Sequence, residues 1–396
     1  MRIINPDNIN KAEIVIGIPS LNETDSIGFV VTQIDQGLGK YFSDRKSVIV
    51  NVDNNSQDGT KEAFLNTQTH TPKIYISTPE NVKGKGNNLR NLFTIMRELG
   101  AKAGATVDAD LKSITPQWIN CLISPILKEN YHFLTPLYYR HKYDATITNH
   151  ICYPLVYGIL GHNIRQPIGG DMAFSREMTE FWLNQGWPPE VSQYGIDIFM
   201  TLNAIKSQLK IGQVNLVAKI HKPSAPKLGP MFLAVAKTLF DFLSANKEIW
   251  NDKEVIDVSV VCSVDYQIHK EDLFVDKNKI KETAVAEFRE TYKMLEPELD
   301  NEIKEVLENI FIKKEFELLR ASNWAKVVYH LLNIYCSAQA PKRGEIINFL
   351  RALYFGRIAA FISEVEDLDD EKAEESILNQ AKIFRKEFLS QKNSFT

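Results

Sequence analysis

The chain has few cysteines for its length, and no two of them form a C-x-x-C pair. The four cysteines among 396 residues are Cys121, Cys152, Cys262 and Cys336. Widely separated cysteines without metal-type spacing are typical of buried free thiols and not of a zinc site or a disulfide framework. We therefore predict four free thiols, a reducing compartment and a cytoplasmic location.

An excess of positive charge is also absent. The 46 lysines and arginines are balanced by 50 aspartates and glutamates, which gives a formal net charge of −4. This balance gives no reason to expect nucleic acid or an anionic membrane as the main partner. Any anionic substrate must therefore be bound by positive side chains gathered at one place.

Long hydrophobic runs are missing as well. The longest apolar stretch, residues 231–243, is interrupted by Lys237 and Asp241 and is shorter than the roughly 20 residues that span a bilayer. The N-terminal residues show no basic segment followed by an apolar one, so we expect no signal peptide. We also expect no membrane span.

The first half of the chain alternates between strand and helix patterns. Apolar or β-branched runs predict strands at residues 14–18, 48–52, 73–76 and 105–107, and periodic patterns predict helices at 27–34 and 89–99. Thr115-Pro116 is typical of a helix start, with proline at the first helical position. Repeated β-α units predict an α/β fold with a parallel or mixed sheet and helices on both faces.

Polar clusters follow three of these strands, at residues 19–23, 53–56 and 108–110. In such sheets ligands bind beyond the carboxyl ends of the strands, so the three clusters are expected on one edge. The last cluster contains Asp108-Ala109-Asp110. Two carboxylates at this spacing can hold a divalent cation that binds a diphosphate, although the spacing alone is a weak signal.

The order of these motifs resembles that in nucleotide-sugar glycosyltransferases of the GT-A fold. The first-half motifs are IPSLNE (18–23), VDNNSQDGT (52–60), GKG (84–86) and VDADL (107–111). The second half is similar to the retaining mannosylglycerate synthases and the related glucosyl-3-phosphoglycerate synthases, through Arg140, Asp144-Ala145, Ile147-Thr148, QPIGGD (166–171), YGID (194–197) and His221. The resemblance covers roughly residues 12–230.

The resemblance implies a binding site for a GDP- or UDP-hexose. The nucleotide-sugar would contact Pro19, Asn22, Glu23, Asp53, Lys85 and Asp108. Asn and Asp also favour strand ends as simple turn caps, so a purely structural role stays open for them. Asp110 and His221 would hold Mg²⁺ or Mn²⁺, and the imidazole suits manganese better than magnesium.

The same resemblance implies an acceptor site for D-glycerate or 3-phosphoglycerate, formed by Arg140, Thr148, Gly169 and Gly170. Arg140 can bind a carboxylate with two parallel hydrogen bonds, although a surface salt bridge is the alternative. Asp171 and Asp197 are the carboxylates expected to touch the hexose, with loop capping as the alternative. Retention can follow from a covalent aspartyl intermediate or from attack on the face that the phosphate leaves. We favour the second route.

The chain is predicted to divide into a catalytic domain, residues 1–229, and a mainly helical region, residues 230–396. The boundary is suggested by residues 222–230, which contain three prolines and a glycine. The amphipathic pattern of the helical region suggests a homodimer.

The leading functional hypothesis is a metal-dependent retaining glycosyltransferase that transfers glucose or mannose to glycerate or 3-phosphoglycerate, as in the synthesis of a compatible solute. One alternative is an inverting family-2-type transferase that builds a polysaccharide or glycolipid with a carboxylate base. Another is an inactive nucleotide-sugar-binding regulatory protein, for which a broken D-x-D pair would be expected.

Overall fold

The computed structural model describes residues 2–222, 228–265, 273–392 and 395. The chain divides into two compact units, and each unit consists of several chain segments. The first unit comprises Met1–Tyr139, Gln166–Pro226 and Val258–Lys270. The second comprises Arg140–Arg165, Lys227–Asp257 and Glu271–Thr396. The predicted boundary at residues 222–230 includes residues 223–227, which lie outside the described residues.

The strands of the first unit form one nine-stranded sheet with the order β1-β4-β3-β2-β5-β8-β6-β9-β11. In chain order the strands are β1 (Arg2–Ile4), β2 (Ile14–Ser20), β3 (Ser47–Asp53), β4 (Lys73–Ser77), β5 (Ala103–Thr106), β6 (Phe133–Tyr139), β7 (His162–Asn163), β8 (Ala173–Ser175), β9 (Ile211–Ala218), β10 (Ile256–Asp257) and β11 (Val260–Ser263). β7 and β10 belong to the second unit, where they pair with each other.

The sheet is mixed. β4, β3, β2 and β5 run parallel, and so do β6, β9 and β11. β1 and β8 run antiparallel to their neighbours. The carboxyl ends of β2, β3 and β5 therefore meet on one edge, as the sequence predicts. The predicted α/β class is confirmed.

The α-helices begin and end as follows: α1 (Ile27–Tyr41), α2 (Thr60–Asn66), α3 (Lys85–Leu99), α4 (Pro116–Lys128), α5 (Tyr153–Gly158), α6 (Arg176–Leu183), α7 (Ile196–Ser207), α8 (Leu228–Ala245), α9 (Lys277–Leu295), α10 (Asn301–Phe311), α11 (Ala321–Ser337), α12 (Ala340–Val365) and α13 (Asp370–Gln391). α1 to α4, α6 and α7 belong to the first unit. Thr115 is the N-cap of α4 with Pro116 at its first position, as predicted.

Helices cover both faces of the sheet because alternate strand residues point to opposite sides. On β2, Ile14 and Ile16 pack in one buried cluster with residues of α1 and α4. Val15, between them, packs in a second cluster with residues of α3 and α7. Both faces of the central strands are thus covered, and polar side chains are left to the strand ends.

The second unit is mainly helical, which confirms the predicted helical character of the C-terminal part. α5 and α13 pack through a buried cluster that contains Tyr153, Ile377 and Ala381. Arg357 of α12 is 1% exposed and is paired: its Nη1 atom lies 2.5 Å from Glu364 Oε1 and donates to the Leu319 carbonyl at 2.9 Å. A buried guanidinium needs such partners, because removing one would leave its charge uncompensated.

Two helices of the described residues, α8 and α12, are long and apolar enough to cross a membrane by length and composition. Of the most apolar part of α12, 78% is buried inside the protein, as in the core helix of a soluble protein; for α8 the share is 39%. On α8, Lys237 pairs with Asp241 at 2.7 Å, and Tyr335 of α11 donates to Asp241 at 2.7 Å. The absence of a membrane span stays a prediction.

The prediction of four free thiols is wrong for one pair. Cys121 of α4 and Cys262 of β11 form a disulfide, whereas Cys152 and Cys336 are free. The bridge joins residues 141 positions apart, and only the parallel pairing of β11 beside β9 brings them together. Sequence spacing cannot reveal such a pair. The argument from thiols to a reducing compartment therefore loses its basis, and the cytoplasmic location stays a prediction.

The disulfide predicts a measurable stabilisation. Cys262→Ala should lower the free energy of unfolding by about 2–4 kcal/mol, because the bridge closes a long loop in the unfolded chain. Urea unfolding without reductant measures this, with Cys336→Ala as the control for loss of a free thiol. Thiol titration of the unfolded oxidised protein should find the two free cysteines. Four reactive thiols and an unchanged unfolding midpoint would contradict the bridge.

Candidate functional site

The carboxyl edge of β2, β3 and β5 carries most of the residues predicted to bind a nucleotide-sugar. Pro19 and Ser20 end β2, Asp53 ends β3, and Asp108 follows β5 by two residues. All of them belong to the first unit. The parallel pairing of β2 with both β3 and β5 brings these strand ends together.

Asp53 is fully buried and holds the loop beside it. Its Oδ1 atom accepts hydrogen bonds from the hydroxyls of Ser20 at 2.8 Å and Ser56 at 2.6 Å. Its Oδ2 atom accepts from the Ser56 N–H at 2.8 Å and from the Tyr75 hydroxyl at 2.9 Å. The Ser56 hydroxyl in turn accepts from the Asn22 N–H at 2.8 Å. Asp53 thus fixes the loop that presents Asn22, which is exposed.

Glu23 lies at the same edge and is half-buried. Its carboxylate is 2.7 Å from the ammonium of Lys222, which also contacts Asp25 at 2.7 Å. Burial raises the pKa of Glu23, and the nearby Asp110 adds to this, while Lys222 opposes it. Glu23, Asp110 and Lys222 therefore share one electrostatic neighbourhood.

Lys85 is the first residue of α3, and the flanking glycines allow the chain to pack closely there. A Cβ atom on Gly86 would overlap the carbonyl oxygen of Val191, and the Gly86 N–H donates to the Gln193 carbonyl at 3.1 Å. The GKG motif is thus a packed helix start. The Lys85 ammonium lies 3.1 Å from Asp197 Oδ2 and 3.3 Å from Asp108 Oδ1.

Asp108 stands between two lysines. Its Oδ1 atom faces Lys85 at 3.3 Å, and its Oδ2 atom accepts from the Lys219 ammonium at 2.6 Å. Burial alone would raise the pKa of Asp108, but Lys219 and Lys85 hold it well below its usual range. Asp108 and Asp197 likewise raise the pKa of Lys85 despite its burial. Lys85, Asp108, Asp197 and Lys219 form a charged cluster in which the positive and negative groups compensate one another.

Asp171 is fully buried and completes the cluster. Its Oδ1 atom accepts from the Asp108 N–H at 2.8 Å, and its Oδ2 atom accepts from Lys219 at 2.7 Å and from the Tyr138 hydroxyl. Both oxygens of Asp171 are therefore engaged within the first unit. This arrangement positions the Asp108 turn.

Asp197 lies in the first turn of α7 and differs from Asp171. One of its oxygens contacts Lys85, while its buried Oδ1 atom has no hydrogen-bond partner in the described residues. Burial raises the pKa of Asp197, and Lys85 offsets only part of that effect. A buried oxygen without a partner is costly, so Oδ1 is suited to accept a hydrogen bond from a ligand hydroxyl.

Asp110 and His221 lie close together. Asp110 Oδ2 accepts from the N–H of Lys222 at 3.2 Å, and the Lys112 N–H donates to the Ile220 carbonyl at 2.9 Å. The His221 Nδ1 atom lies 2.7 Å from the Lys222 carbonyl oxygen. In the tautomer that donates there, Nε2 carries the lone pair, which is the usual arrangement of a metal-binding histidine.

These two residues fit a divalent cation. The described residues contain no cluster of three or more His, Cys, Asp or Glu side chains around one metal position. Mg²⁺ is commonly held by one or two carboxylates together with substrate phosphates. The carboxylate of Asp110 and the imidazole of His221 are ligand types that suit Mn²⁺ or Mg²⁺.

Arg140 and Thr148 belong to the second unit. Arg140 Nη1 lies 2.9 Å from Asp144 Oδ2, and Thr148, which is 5% exposed, begins a π-helical turn, Thr148–Cys152. Arg165 is engaged by the C-terminal helix: its Nε and Nη2 atoms contact the two carboxylate oxygens of Glu374 at 2.6 and 2.7 Å. This bidentate pair already compensates the charge of Arg165.

Gly169 and Gly170 lead into Asp171. The Gly169 carbonyl accepts from Lys219 at 2.9 Å, and the Gly170 carbonyl accepts from the Thr106 hydroxyl at 2.8 Å. Gly170 has φ +89°, and a Cβ atom there would lie 2.6 Å from Asp108 Oδ2 and 3.0 Å from Lys219 Nζ. Both the backbone conformation and the space therefore require glycine at position 170.

Two members of the cluster were not predicted from the sequence, Lys219 and Tyr138. Lys219 is 5% exposed and lies one residue beyond β9 and two before His221. A lysine directly after an apolar strand and close to a candidate metal ligand is a sequence signal for a residue of the site. Tyr138 lies in an alternating strand pattern and gave no such signal.

Comparison with known proteins agrees with this geometry. Residues 15–181 match the family described as glycosyl transferase family 2. The match covers less than half of the chain, so this segment is similar to that family, and the mixed sheet with helices on both faces is a GT-A-like fold. No curated protein matches the chain in sequence.

Solved structures show a similar arrangement over part of the chain. Glucosyl-3-phosphoglycerate synthase from Mycobacterium tuberculosis with Mn²⁺, uridine diphosphate and phosphoglyceric acid is 24% identical, covering 58% of this chain and 78% of that one, with a TM-score of 0.48. The same enzyme with Mg²⁺ and uridine diphosphate gives 22% identity, 58% and 79% coverage and a TM-score of 0.47. A structure described as a mycobacterial protein is 25% identical, covering 58% of this chain and 74% of that one, with a TM-score of 0.48. TM-scores this low carry no argument about substrate or metal.

The tight fit at position 170 predicts that Gly170→Ala is damaging. The added Cβ would strain the left-handed backbone at a cost of about 1–3 kcal/mol. It would also displace Asp108, and displacements of this kind lower turnover on the order of a hundredfold. The measurements are thermal unfolding and glycosyl transfer. The control is Gly186→Ala, where a Cβ meets nothing within 4 Å. Equal behaviour of the two variants would contradict the packing described here.

Proposed function

We propose that this protein is a metal-dependent retaining hexosyltransferase. It transfers glucose or mannose from a GDP- or UDP-sugar to D-glycerate or 3-phosphoglycerate. The observation that carries the proposal is the position of Asp108-Ala109-Asp110 directly after β5, with Lys85, Glu23 and His221 at the same edge. The alternative of an inactive regulatory protein expects a broken aspartate pair, and here the pair is intact.

The donor nucleotide would bind at the ends of β2 and β3. Asn22 and Glu23 would offer polar groups to the base and ribose. The oxygens of Asp53 are already hydrogen-bonded, so Asp53 would support the loop and not contact the donor itself. Lys85 faces the position where the diphosphate would lie, and an ammonium there favours phosphate oxygens.

Asp110 and His221 would hold the cation, and Asp108 stays with its two lysines. When bound, the cation offsets the negative charge that grows on the leaving diphosphate. Asp110 and His221 supply only two ligands, so we expect the cation to bind more tightly when a nucleoside diphosphate is present.

The hexose transfer would proceed on the face that the phosphate leaves. The acceptor hydroxyl oxygen forms a bond to the anomeric carbon while the bond from that carbon to the phosphate oxygen breaks, and the hydroxyl proton passes to the phosphate. A covalent route needs an accessible carboxylate nucleophile. Asp171 is fully buried with both oxygens bonded, which argues against Asp171 as that nucleophile. Asp197 Oδ1 would accept a hydrogen bond from a hexose hydroxyl.

The acceptor residues proposed from the sequence are Arg140 and Thr148 in the second unit and Gly169 and Gly170 in the first. Arg140 suits a single carboxylate, since bidentate contact is its preferred geometry. These assignments, the homodimer and the division at residue 229 remain proposals.

A second candidate is an inverting transferase, which the family 2 match favours. Such an enzyme needs a carboxylate base near the acceptor hydroxyl. Asp197 fits that chemistry, since burial raises its pKa and one oxygen has no partner in the described residues. The two candidates differ in the anomeric configuration of the product.

A donor-by-acceptor panel tests the proposal. The protein is incubated with GDP- or UDP-linked glucose or mannose, Mg²⁺ or Mn²⁺, and glycerate or 3-phosphoglycerate. We expect release of nucleoside diphosphate that requires both metal and acceptor. Proton NMR of the product should show the anomeric configuration of the donor. An inverted product would favour the second candidate, and no pairing above the metal-free blank would reject the leading proposal.

Asp110→Asn should lower kcat on the order of a hundred- to thousandfold, because the carboxylate that would hold the charge-offsetting cation is lost. Raising the Mn²⁺ concentration should recover part of the activity, since the carboxamide still offers an oxygen. Asp252→Asn, at an exposed ion pair with Lys392, is the matched control. Full activity of Asp110→Asn at low Mn²⁺ would remove Asp110 from the metal site.

A further inference from the structure

Lys219 is a closely engaged cation of the first unit. Its ammonium lies 2.6 Å from Asp108 Oδ2, 2.7 Å from Asp171 Oδ2 and 2.9 Å from the Gly169 carbonyl oxygen. An ammonium has three N–H donors, and these three acceptors match them. At 5% exposure the group is also shielded from water.

The three acceptors come from two separate chain segments. Asp108 belongs to the turn after β5, whereas Gly169 and Asp171 belong to the segment before β8. Lys219 itself belongs to a third segment, residues 219–222, which directly follow β9 and are here called the extension of β9. Asp108 and Asp171 also touch directly through the Asp108 N–H. Without Lys219, two neighbouring carboxylates would lose the cation that they share.

The extension of β9 continues along the aspartate pair beyond Lys219. The Ile220 N–H donates to the Ser113 hydroxyl at 3.0 Å, and the Lys222 N–H donates to Asp110 Oδ2 at 3.2 Å. His221 lies between these two contacts. The position of His221 beside Asp110 is therefore set by a strip of chain whose first anchor is Lys219.

We propose that Lys219 is a positioning residue of the metal site. Its buried ammonium fastens the extension of β9 to Asp108 and Asp171, and this attachment holds His221 beside Asp110. Lys219 ligates no metal in this scheme and transfers no proton. The inference rests on the proposed function, since it assigns His221 to the cation.

Two explanations of Lys219 predict opposite effects of removing it. If only its charge matters, deleting it should strengthen cation binding, because repulsion of the cation is lost. A positioning role predicts weaker binding, because His221 is no longer held in place. Loss of a residue that orients a ligand typically costs about 10- to 100-fold in metal affinity. The sign of the change separates the two explanations.

The experiment compares Lys219→Met with Lys219→Met/Asp171→Asn in the full-length protein. Methionine keeps most of the length of the side chain without its charge, and the asparagine removes the carboxylate left without a partner. Mn²⁺ binding is measured by electron paramagnetic resonance with Mn²⁺ alone and with UDP or GDP added. Thermal unfolding is measured without metal. Lys210→Met, just before the other end of β9, is the matched control, because its ammonium contacts the Glu129 carbonyl and the Tyr131 ring and, among the described residues, no carboxylate.

We expect Lys219→Met to bind Mn²⁺ about tenfold or more weakly and to unfold at a lower temperature. The double variant should regain part of the unfolding temperature but not the Mn²⁺ affinity. Lys210→Met should match the wild type in both. Mn²⁺ affinity of Lys219→Met that equals or exceeds the wild type would overturn the proposal, and so would full recovery of affinity in the double variant.

Failure of the proposed function can be distinguished from failure of this inference. Wild-type protein that binds no Mn²⁺ with either nucleotide would contradict the metal-dependent transferase and with it the positioning of a metal ligand. Wild-type protein that binds Mn²⁺ and transfers a hexose, but whose affinity is unchanged by Lys219→Met, would contradict only the role of Lys219.

Discussion

Charge compensation of the neighbouring carboxylates Asp108 and Asp171 is the constraint on which this edge of the sheet depends. Asp108 and Asp171 lie within one hydrogen bond of each other, and a buried charge without a partner is strongly destabilising. Lys219 serves both of them, and Lys85 links Asp108 to Asp197. The helix start at Lys85, the segment before β8 and the extension of β9 are joined at this cluster.

Because of this constraint, the two residues of the aspartate pair, Asp108 and Asp110, have different roles. Both oxygens of Asp108 contact lysines, so its charge organises the edge. Asp110 faces the chain at His221 and Lys222, where a cation can be shared with a diphosphate. The two aspartates, separated by one residue, thus have different partners. The proposed transfer chemistry needs both parts, a fixed scaffold and an exchangeable cation.

Much of the fold could be predicted from the sequence, because local patterns determine it. The strands ending near Ser20 and Asp53 and the helix starting at Pro116 follow from apolar runs and capping residues. Lys219, Tyr138 and the Cys121–Cys262 bridge could not be predicted, since their partners are distant in the chain and depend on the strand order. Sequence spacing also could not show that Asp53 and Asp171 are buried and fully bonded, because the same residue types occur in exposed sites.

The most direct test is a crystal structure of the protein with Mn²⁺ and the nucleoside diphosphate that binds most tightly. The account predicts that the cation contacts Asp110, His221 and diphosphate oxygens. It also predicts that Asp108 keeps its contacts with Lys85 and Lys219. A cation bound directly to Asp108, with the Lys219 ammonium displaced, would contradict the division of roles on which the account rests.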